Sequence, residues 1–264
     1  MRRSLAGSLL IGALLLTGCM DPAEPSAGSA TPSTAAASPS AAPLDARDDM
    51  TVVKEAFDRG FAERTFNMGA EIRAGGRHVV KIDAVVDVEA DVVQMIMMAD
   101  EYVEMLKFAD EIYIKDTDAP GPDTFLRVEV GKLNANSSLR GSFDLSQHSG
   151  ILGGVLQARK TDEQADERTY EGTADLRKAM EAAPAASRAS MESTVRLARN
   201  ADAVPFKLTV DDRGRLLSLF YEIETAQGTI ASRITMHGYG RDVAVDRPKP
   251  EQVKDATEEQ YAVL

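Results

Sequence analysis

The chain has 264 residues, of which 30 are Lys or Arg and 42 are Asp or Glu, so its formal net charge is −12. A surface of that sign repels nucleic acids and anionic lipid headgroups over a Debye length of about 8 to 10 Å, and we expect no nucleic-acid partner. The one cysteine excludes an internal disulfide, and it leaves a thiol or zinc site without its usual donors.

The first nineteen residues have the layout of a secretory signal. Arg2 and Arg3 precede an apolar run from Ser8 to Leu16, and Leu16-Thr17-Gly18-Cys19 ends that run with small residues before the cysteine. The run is too short for a bilayer-spanning helix, which needs about 20 apolar residues. This lipobox resembles the signals of bacterial lipoproteins, which implies that residues 1–18 are cleaved and that Cys19 is diacylated. The alternative is an ordinary signal peptide with an incidental cysteine.

Removal of the signal leaves 28 basic and 42 acidic residues, a net charge of −14. Membrane attachment then depends on the acyl chains, because each buried methylene contributes about 0.8 kcal/mol. We therefore expect a lipid-anchored protein on the extracytoplasmic face of the cell membrane.

Residues 19–49 form a predicted disordered linker after the acylated cysteine. They are rich in Ala, Ser, Thr and Pro, and they offer almost nothing apolar to bury. A flexible linker of that length reaches about 30 Å. No second linker follows, so we predict one domain over residues 50–255 and a flexible C-terminal tail over residues 256–264.

Hydrophobic periodicity within the domain predicts a helix followed by an antiparallel sheet. Val52, Val53, Phe57 and Phe61 recur at helical spacing, after which apolar and polar residues alternate on both sides of the Gly75-Gly76 turn. Such alternation is typical of strands with one buried face. The predicted helices are 51–63, 144–160 and 177–199, the last interrupted at Pro184; the predicted strands are 65–73, 77–88, 91–98, 102–108, 111–115, 124–130, 168–176, 206–210, 217–223 and 230–236.

Two segments fit more than one structural role. The stretch from Asp144 to Lys160 is amphipathic but contains three glycines, each of which destabilises a helix by about 1 kcal/mol. It is either a mobile lid over an apolar cavity or a close-packed helix whose glycines permit backbone approach. The methionines at 95, 97, 98 and 105 suit either a core or a ligand-binding wall.

One longer stretch carries a family resemblance. Val204-Pro205-Phe206-Lys207-Leu208-Thr209-Val210-Asp211-Asp212-Arg213-Gly214-Arg215-Leu216, two strands and then Val243-Ala244-Val245-Asp246-Arg247-Pro248 resemble the LppX/LprG group of actinobacterial lipoproteins. The resemblance covers most of residues 50–255. It implies a LolA-like α+β fold: a strongly curved antiparallel sheet, an incomplete barrel, with helices on the concave face. It also implies a hydrophobic cavity between sheet and helices that holds acyl chains.

Alternate residues of a strand point to the same face of the sheet, and this alternation selects the side chains that would line such a cavity. The apolar positions of the first hairpin share one face, and the C-terminal strands and the glycine-rich segment add others. The predicted ligand-binding residues are Phe66, Met68, Ile72, Val80, Ile82, Val86, Leu152, Val155, Phe206, Leu208, Leu217, Leu219 and Tyr221.

No residue pattern indicates catalysis. His78, His148 and His237 are scattered without a second ligand at metal spacing, so we expect no metal, no cofactor and no enzymatic activity. The sequence predicts a monomeric lipoprotein that binds lipid or acyl chains and carries lipids to the cell envelope. The alternative is a non-enzymatic sensor or accessory lipoprotein that docks an envelope protein partner, and a structural spacer ranks third.

Overall fold

The computed structural model describes residues 44–116, 124–134, 137–143, 145–183 and 185–264. The predicted signal, Cys19 and linker residues 20–43 lie outside these residues, as do residues 117–123 and the helix break at Pro184. The end of the predicted disordered linker is instead ordered, because Leu44–Ala46 form a 3₁₀ helix with Leu44 buried in the core and Asp48 caps the first α-helix. The chain from residue 42 onward forms one compact unit.

Within the ranges just given, twelve strands form one sheet, with β12 and β7 at its two ends. Its spatial order is β12-β6-β5-β4-β3-β2-β1-β11-β10-β9-β8-β7. Neighbouring strands are antiparallel except β12 and β6, which are parallel. The strands are β1 Thr65–Ala74, β2 Arg77–Asp87, β3 Val92–Met98, β4 Tyr102–Phe108, β5 Glu111–Asp116, β6 Thr124–Glu129, β7 Val155–Glu163, β8 Glu167–Ala174, β9 Val204–Asp211, β10 Leu216–Thr225, β11 Gly228–His237 and β12 Val253–Asp255.

In the part of the chain that the structure describes, five α-helices accompany this large, curved, unclosed sheet, and the predicted α+β class is confirmed. They are α1 Asp49–Phe61, α2 Ser138–Ser142, α3 Leu176–Ala182, α4 Ala185–Leu197 and α5 Glu258–Tyr261. α1 begins where the Asp48 carboxylate accepts a hydrogen bond from the Thr51 backbone N–H at 3.0 Å, a standard N-cap that satisfies one orphan donor. In the described ranges no helix is long and apolar enough to cross a membrane.

Most elements predicted from periodicity are present. The helix at 51–63, the two hairpin strands around Gly75-Gly76 and the four strands that follow agree with the structure to within a few residues. Asp175 also begins a helix as predicted, because its carboxylate accepts hydrogen bonds from the backbone N–H groups of Arg177 and Lys178.

The helix predicted over residues 144–160 is wrong. Leu145–Gly154 is a 3₁₀ helix, and from Val155 onward the chain is the edge strand β7. Three glycines weaken any α-helix here, and β8 offers the following residues an antiparallel partner. Backbone pairing along β8 therefore replaces the predicted helix.

The C-terminal residues differ from the predicted flexible tail. Residues 258–261 form α5, and the Glu129 backbone N–H donates a hydrogen bond to the Tyr261 hydroxyl at 2.9 Å. The Ser137 hydroxyl donates to the carbonyl oxygen of Leu264, which packs partly buried against the core together with Tyr261. These contacts to the body of the domain hold the last residues in place.

A second small core lies on the face of β4, β5 and β6 that points away from the main hydrophobic core, and we call this the outer face of the sheet. Val245 and Val253 from the segment after β11 cover it, and the Arg247 guanidinium lies 4.6 Å from the Phe108 ring centroid. Arg247 also pairs with Glu111. The residues under this cover are Leu106, Phe108, Tyr113 and Phe125.

Candidate apolar ligand site

The strand register places most of the predicted ligand-binding residues on one face of the sheet, which we call the inner face. Across β1 and β2, Phe66 is opposite Val86 and Ile72 is opposite Val80. On the other half of the sheet, β9 and β10 pair Phe206 with Tyr221 and Leu208 with Leu219. Side chains at paired positions point to the same face, so the predicted parity holds across both halves of the sheet.

One part of this inner face is filled core. Phe66, Leu208 and Leu219 are fully buried in the main hydrophobic cluster, which also contains Val52, Val53 and Phe57 of α1. Phe61 stands between two of these rings, with centroids 4.7 Å from Phe57 and 4.8 Å from Phe66. The predicted ligand-binding residues that the structure buries here are Phe66, Met68, Val86, Leu152, Val155, Phe206, Leu208 and Leu219. Other side chains of the domain cover the surfaces of these residues in this conformation.

The four methionines of β3 and β4 divide between the core and the end of β3. Met95 and Met105 are each 1% exposed in the core, whereas Met97 and Met98, at the end of β3, are only partly buried. The core role therefore applies to the first two methionines.

The inner face opens at the end where the β1–β2 hairpin turns. Ile72 is 36% exposed, and Val80, Ile82 and Ile230 are partly buried. These residues continue the apolar surface of the core without a charged residue among them. We define the distal site by Ile72, Val80, Ile82, Ile230 and the two hydroxyl residues Tyr221 and Ser232.

A hydroxyl pair interrupts the apolar surface of the distal site. Tyr221 and Ser232 are directly opposite each other on β10 and β11, and Ser232 is also opposite Ile72 on β1. Burial raises the pKa of the Tyr221 phenol, and a hydrogen bond with Ser232 opposes that rise. The phenol therefore remains protonated at neutral pH and can donate or accept a hydrogen bond.

Sequence parity missed Ser232 and misplaced Leu217. A register irregularity in β10 between Leu216 and Ser218 changes which residue enters the core, since Leu216 is fully buried and Leu217 is only partly buried. Leu217 therefore lies outside the inner-face core, contrary to the prediction. Ser232 had a sequence signal, because it occupies an inward position in the alternating series Ile230, Ser232, Ile234, Met236.

The glycine-rich segment is packed, and it is not a lid. A Cβ at Gly154 would lie 2.1 Å from the Asp175 carbonyl oxygen, and one at Gly153 would lie 3.0 Å from the Ala182 Cβ. Both glycines therefore serve close approach to α3 and its N-cap. This geometry supports the close-packed alternative, although the segment is 3₁₀ rather than α-helical.

The helix α4 is the more loosely packed cover. None of its side chains that the structure describes is fully buried, whereas α1 contains four fully buried apolar side chains. Val195 packs partly buried on the core, and Ala198, just past the helix, bridges to Thr225 at the end of β10. This position brings the end of α4 next to the strand that carries Tyr221.

Charged residues cluster at the opposite end of the sheet. The Asp211 carboxylate accepts hydrogen bonds from the backbone N–H of Arg215 at 2.9 Å and from its Nε at 2.6 Å, while Glu63 accepts from Nη1 at 2.8 Å. The Arg215 guanidinium lies 4.6 Å from the Tyr239 ring centroid. Each of these charged groups is paired with a group of opposite charge, so the cluster holds the chain just after α1 against the β9–β10 turn.

Two of the three histidines have side chains that the structure describes, and each makes its own polar contacts. His78 contacts Glu71 at 2.9 Å and Arg73 at 3.1 Å on the exposed hairpin, and His237 lies 3.5 Å from Asn67. The side chain of His148 lies outside the described residues. Among the residues that the structure describes, no group of three His, Cys, Asp or Glu could hold a metal ion.

The outer face has a shallow depression of about 290 Å³ whose lining is mostly apolar. It surrounds Gly69, where a Cβ would lie 2.7 Å from the Thr235 hydroxyl oxygen. Asn67, Asp83 and Gln94 line it, but Asp83 is already paired with Lys81 and Gln94 with Glu104. Lys81 and Glu104 lie outside this lining, so the polar groups of Asp83 and Gln94 are satisfied from its surroundings.

Comparisons with known proteins place the chain in no family. No family model matches it, and no curated protein matches it. Among solved structures it is similar to the crystal structure of the Mycobacterium tuberculosis lipoprotein LppX, with 13% sequence identity and a TM-score of 0.43. That similarity covers 75% of this chain and 97% of LppX. It is too distant to transfer any function from LppX to this chain.

Proposed function

We propose that the protein binds an acyl chain or a similar apolar ligand at the distal site. The observation that supports this most directly is the course of the inner face, which continues from the packed core to Ile72 at 36% exposure. Each methylene buried against such a surface contributes about 0.8 kcal/mol. An acyl chain of moderate length would therefore supply the apolar contact that the domain leaves incomplete.

The hydroxyl pair gives the ligand a polar end. Tyr221 and Ser232 lie within a largely apolar surface, and a carboxyl, ester or hydroxyl group of a lipid would hydrogen-bond to them. The protein would act by binding alone, with no bond made or broken. The loosely packed α4 would move aside to admit the ligand.

The lipobox supports an envelope role for this activity. If Cys19 is diacylated, the domain is held at the extracytoplasmic face of the membrane by its acyl chains. A tethered domain that accepts an acyl chain would carry or present lipids within the reach of its linker. Action as a monomer would suit such a carrier.

A fluorescent fatty acid tests the binding proposal directly. The protein would be residues 20–264, which contain the whole compact unit and omit the apolar signal and the cysteine. After delipidation, the parent should take up the probe at micromolar concentration. Tyr221→Phe should weaken uptake by about ten-fold, because a hydrogen bond to a charged carboxylate contributes about 1.5 kcal/mol.

A second variant and a matched control separate the site from general effects. Ile72→Asp should weaken uptake by about ten-fold or more, because it places a charge on the apolar wall. Val88→Asp introduces the same charge at an exposed residue just past the other end of β2 and should leave uptake unchanged. A parent that takes up no probe would refute the proposal and favour the docking of a partner protein.

A further inference from the structure

Exposed apolar side chains concentrate at one end of the sheet. Seven large hydrophobic residues are exposed in the described part of the chain, and four of them lie at the end that carries the distal site. They are Ile72, Val79, Tyr102 and Leu197, exposed by 36 to 45%. Single exposed hydrophobic residues are ordinary on a protein surface, but a group around one opening indicates an interaction surface.

The strand pairings show that these residues share one end. Tyr102 is opposite Met98, which is opposite Lys81 on β2. The β1–β2 turn lies beside β11, since the Gly75 backbone N–H donates to the Thr229 carbonyl oxygen at 3.2 Å. Leu197 precedes the bridge between Ala198 and the end of β10.

The β1–β2 hairpin is the most prominent part of this end. The last β2 residue paired with β3 is Lys81, so Arg77 to Val80 extend beyond β3. Four strand residues span about 13 Å. A register irregularity here leaves Val79 without a cross-strand partner on β1, and Val79 is 39% exposed. The tip of the β1–β2 hairpin therefore carries apolar side chains beyond the end of β3.

The charged residues near the hairpin turn are basic. Residues 72–81 contain three Lys or Arg and no Asp or Glu, in a chain whose net charge is −12. Arg73 and Lys81 are paired with Glu71 and Asp83, which lie behind them on the strands. Within the described residues, Arg77 at the turn has no ion pair.

Acidic groups also face this end and limit its attraction to anionic lipid. Asp100 and Glu101 are exposed in the turn between β3 and β4. The remaining negative charge of the domain is screened beyond about 8 Å at physiological salt. Insertion of aliphatic and aromatic side chains must therefore supply most of the binding, with Arg77 contacting phosphate groups.

We propose that the distal end, formed by Ile72, Val79, Tyr102, Leu197 and Arg77, docks on the surface of a lipid bilayer. This inference rests on the proposed function, because an acyl ligand that enters the distal site would then pass from the bilayer without crossing water. A bilayer fits this end better than a protein partner does. The exposed side chains lie at the same end of the sheet as the apolar site, and they combine aliphatic groups, a tyrosine and an arginine as interfacial segments do.

Vesicle sedimentation with residues 20–264 tests the docking. The probes are vesicles of zwitterionic phospholipid, alone and with one third anionic phospholipid. The parent should bind both mixtures to a similar extent, because side-chain insertion supplies most of the binding and the acidic residues Asp100 and Glu101 offset the attraction of Arg77 to anionic lipid. Val79→Asp should lower the partition coefficient by ten-fold or more, because each inserted methylene contributes about four-fold.

Val88 provides the matched control, because it is an exposed valine just past the other end of the same strand. Val88→Asp should bind vesicles as the parent does, and both variants should take up the soluble fatty acid normally. Equal vesicle binding by the two variants, or no binding by the parent, would overturn the docking proposal. Fatty-acid uptake without vesicle binding would leave the proposed function standing and would favour a protein acceptor at this end.

Discussion

Gly154→Ala tests the close approach between the 3₁₀ segment and α3. The added Cβ would lie 2.1 Å from the Asp175 carbonyl oxygen and 2.8 Å from the Ala179 backbone nitrogen. Ordinary contact begins near 3.4 Å, so the two backbones must separate by 3.4 − 2.1 = 1.3 Å. That shift also strains the hydrogen bond from the Asp175 N–H to the Gly154 carbonyl oxygen, which is 2.9 Å long.

The expected loss in the free energy of unfolding follows from the close contact and the strained hydrogen bond. Overpacking costs about 1 to 3 kcal/mol, and one weakened hydrogen bond costs about 1 kcal/mol more. A loss of about 3 kcal/mol lowers the Tm of a domain of this size by about 6 to 12 °C. Thermal unfolding followed by circular dichroism measures this shift in residues 20–264.

Two glycine variants serve as controls for this prediction. Gly153→Ala would place its Cβ 3.0 Å from the Ala182 Cβ, and we expect a smaller loss of about 1 kcal/mol. Gly141→Ala meets nothing within 4 Å and should be neutral or slightly stabilising. If Gly154→Ala melts within 1 °C of the parent, the segment is mobile and the lid interpretation must be restored.

Three further predictions concern the anchor, the charged cluster and the buried tyrosines. Cys19→Ala should release the protein from membranes, and a variant that still sediments with membranes in high salt would exclude an acyl anchor. Asp211→Asn should lower the free energy of unfolding in urea by about 1.5 to 3 kcal/mol, because it weakens the bonds to Arg215; a change below about 0.5 kcal/mol would contradict this. Burial raises the pKa of Tyr221 and Tyr239 above the unfolded value of about 10. Their contribution to the free energy of unfolding should therefore be full below about pH 10 and fall as the pH rises above it. Tyr239→Phe should flatten that fall in alkaline melting curves.

The parts of the fold that the sequence predicts best are strands with one buried face. Residues 66–72 and 80–86 alternate because the core lies on one side of the sheet and water on the other, whereas the register irregularity at Val79 interrupts the pattern near the hairpin turn. The helix at 51–63 was equally clear, since it buries one stripe against the sheet. In each of these elements, local periodicity and tertiary burial agree.

The errors arise where a distant contact decides the local structure. Residues 155–163 become a strand because β8 pairs with them, and the glycines before them fit the backbone of α3. The three-residue strand β12 has no periodicity of its own and depends on β6, about 128 residues earlier. Leu217 was misassigned because a register irregularity changes parity within an otherwise regular strand.

The candidate site was predictable as a face but not as an opening. Parity identified the inner face, yet it could not tell which of its residues α1 would cover. Phe66 and Ile72 carry equivalent signals in the sequence, and only the arrangement of helices makes one core and the other exposed. The Tyr221–Ser232 pair likewise becomes visible only once the register of β10 and β11 is known.

The pairing of β1 with β11 constrains the order in which this protein can fold. β1 to β6 pair mainly with their neighbours in sequence, as do β7 to β11, so the two halves can each form from hairpins. The halves join through contacts such as Asn67 with His237, which are 170 residues apart, and closing so long a loop makes their formation slow. The central seam of the sheet therefore cannot form until residue 237 has left the ribosome or the translocation channel. If residues 1–18 act as the predicted secretion signal, this delay would keep the chain unfolded enough for translocation until nearly all of it has crossed the membrane.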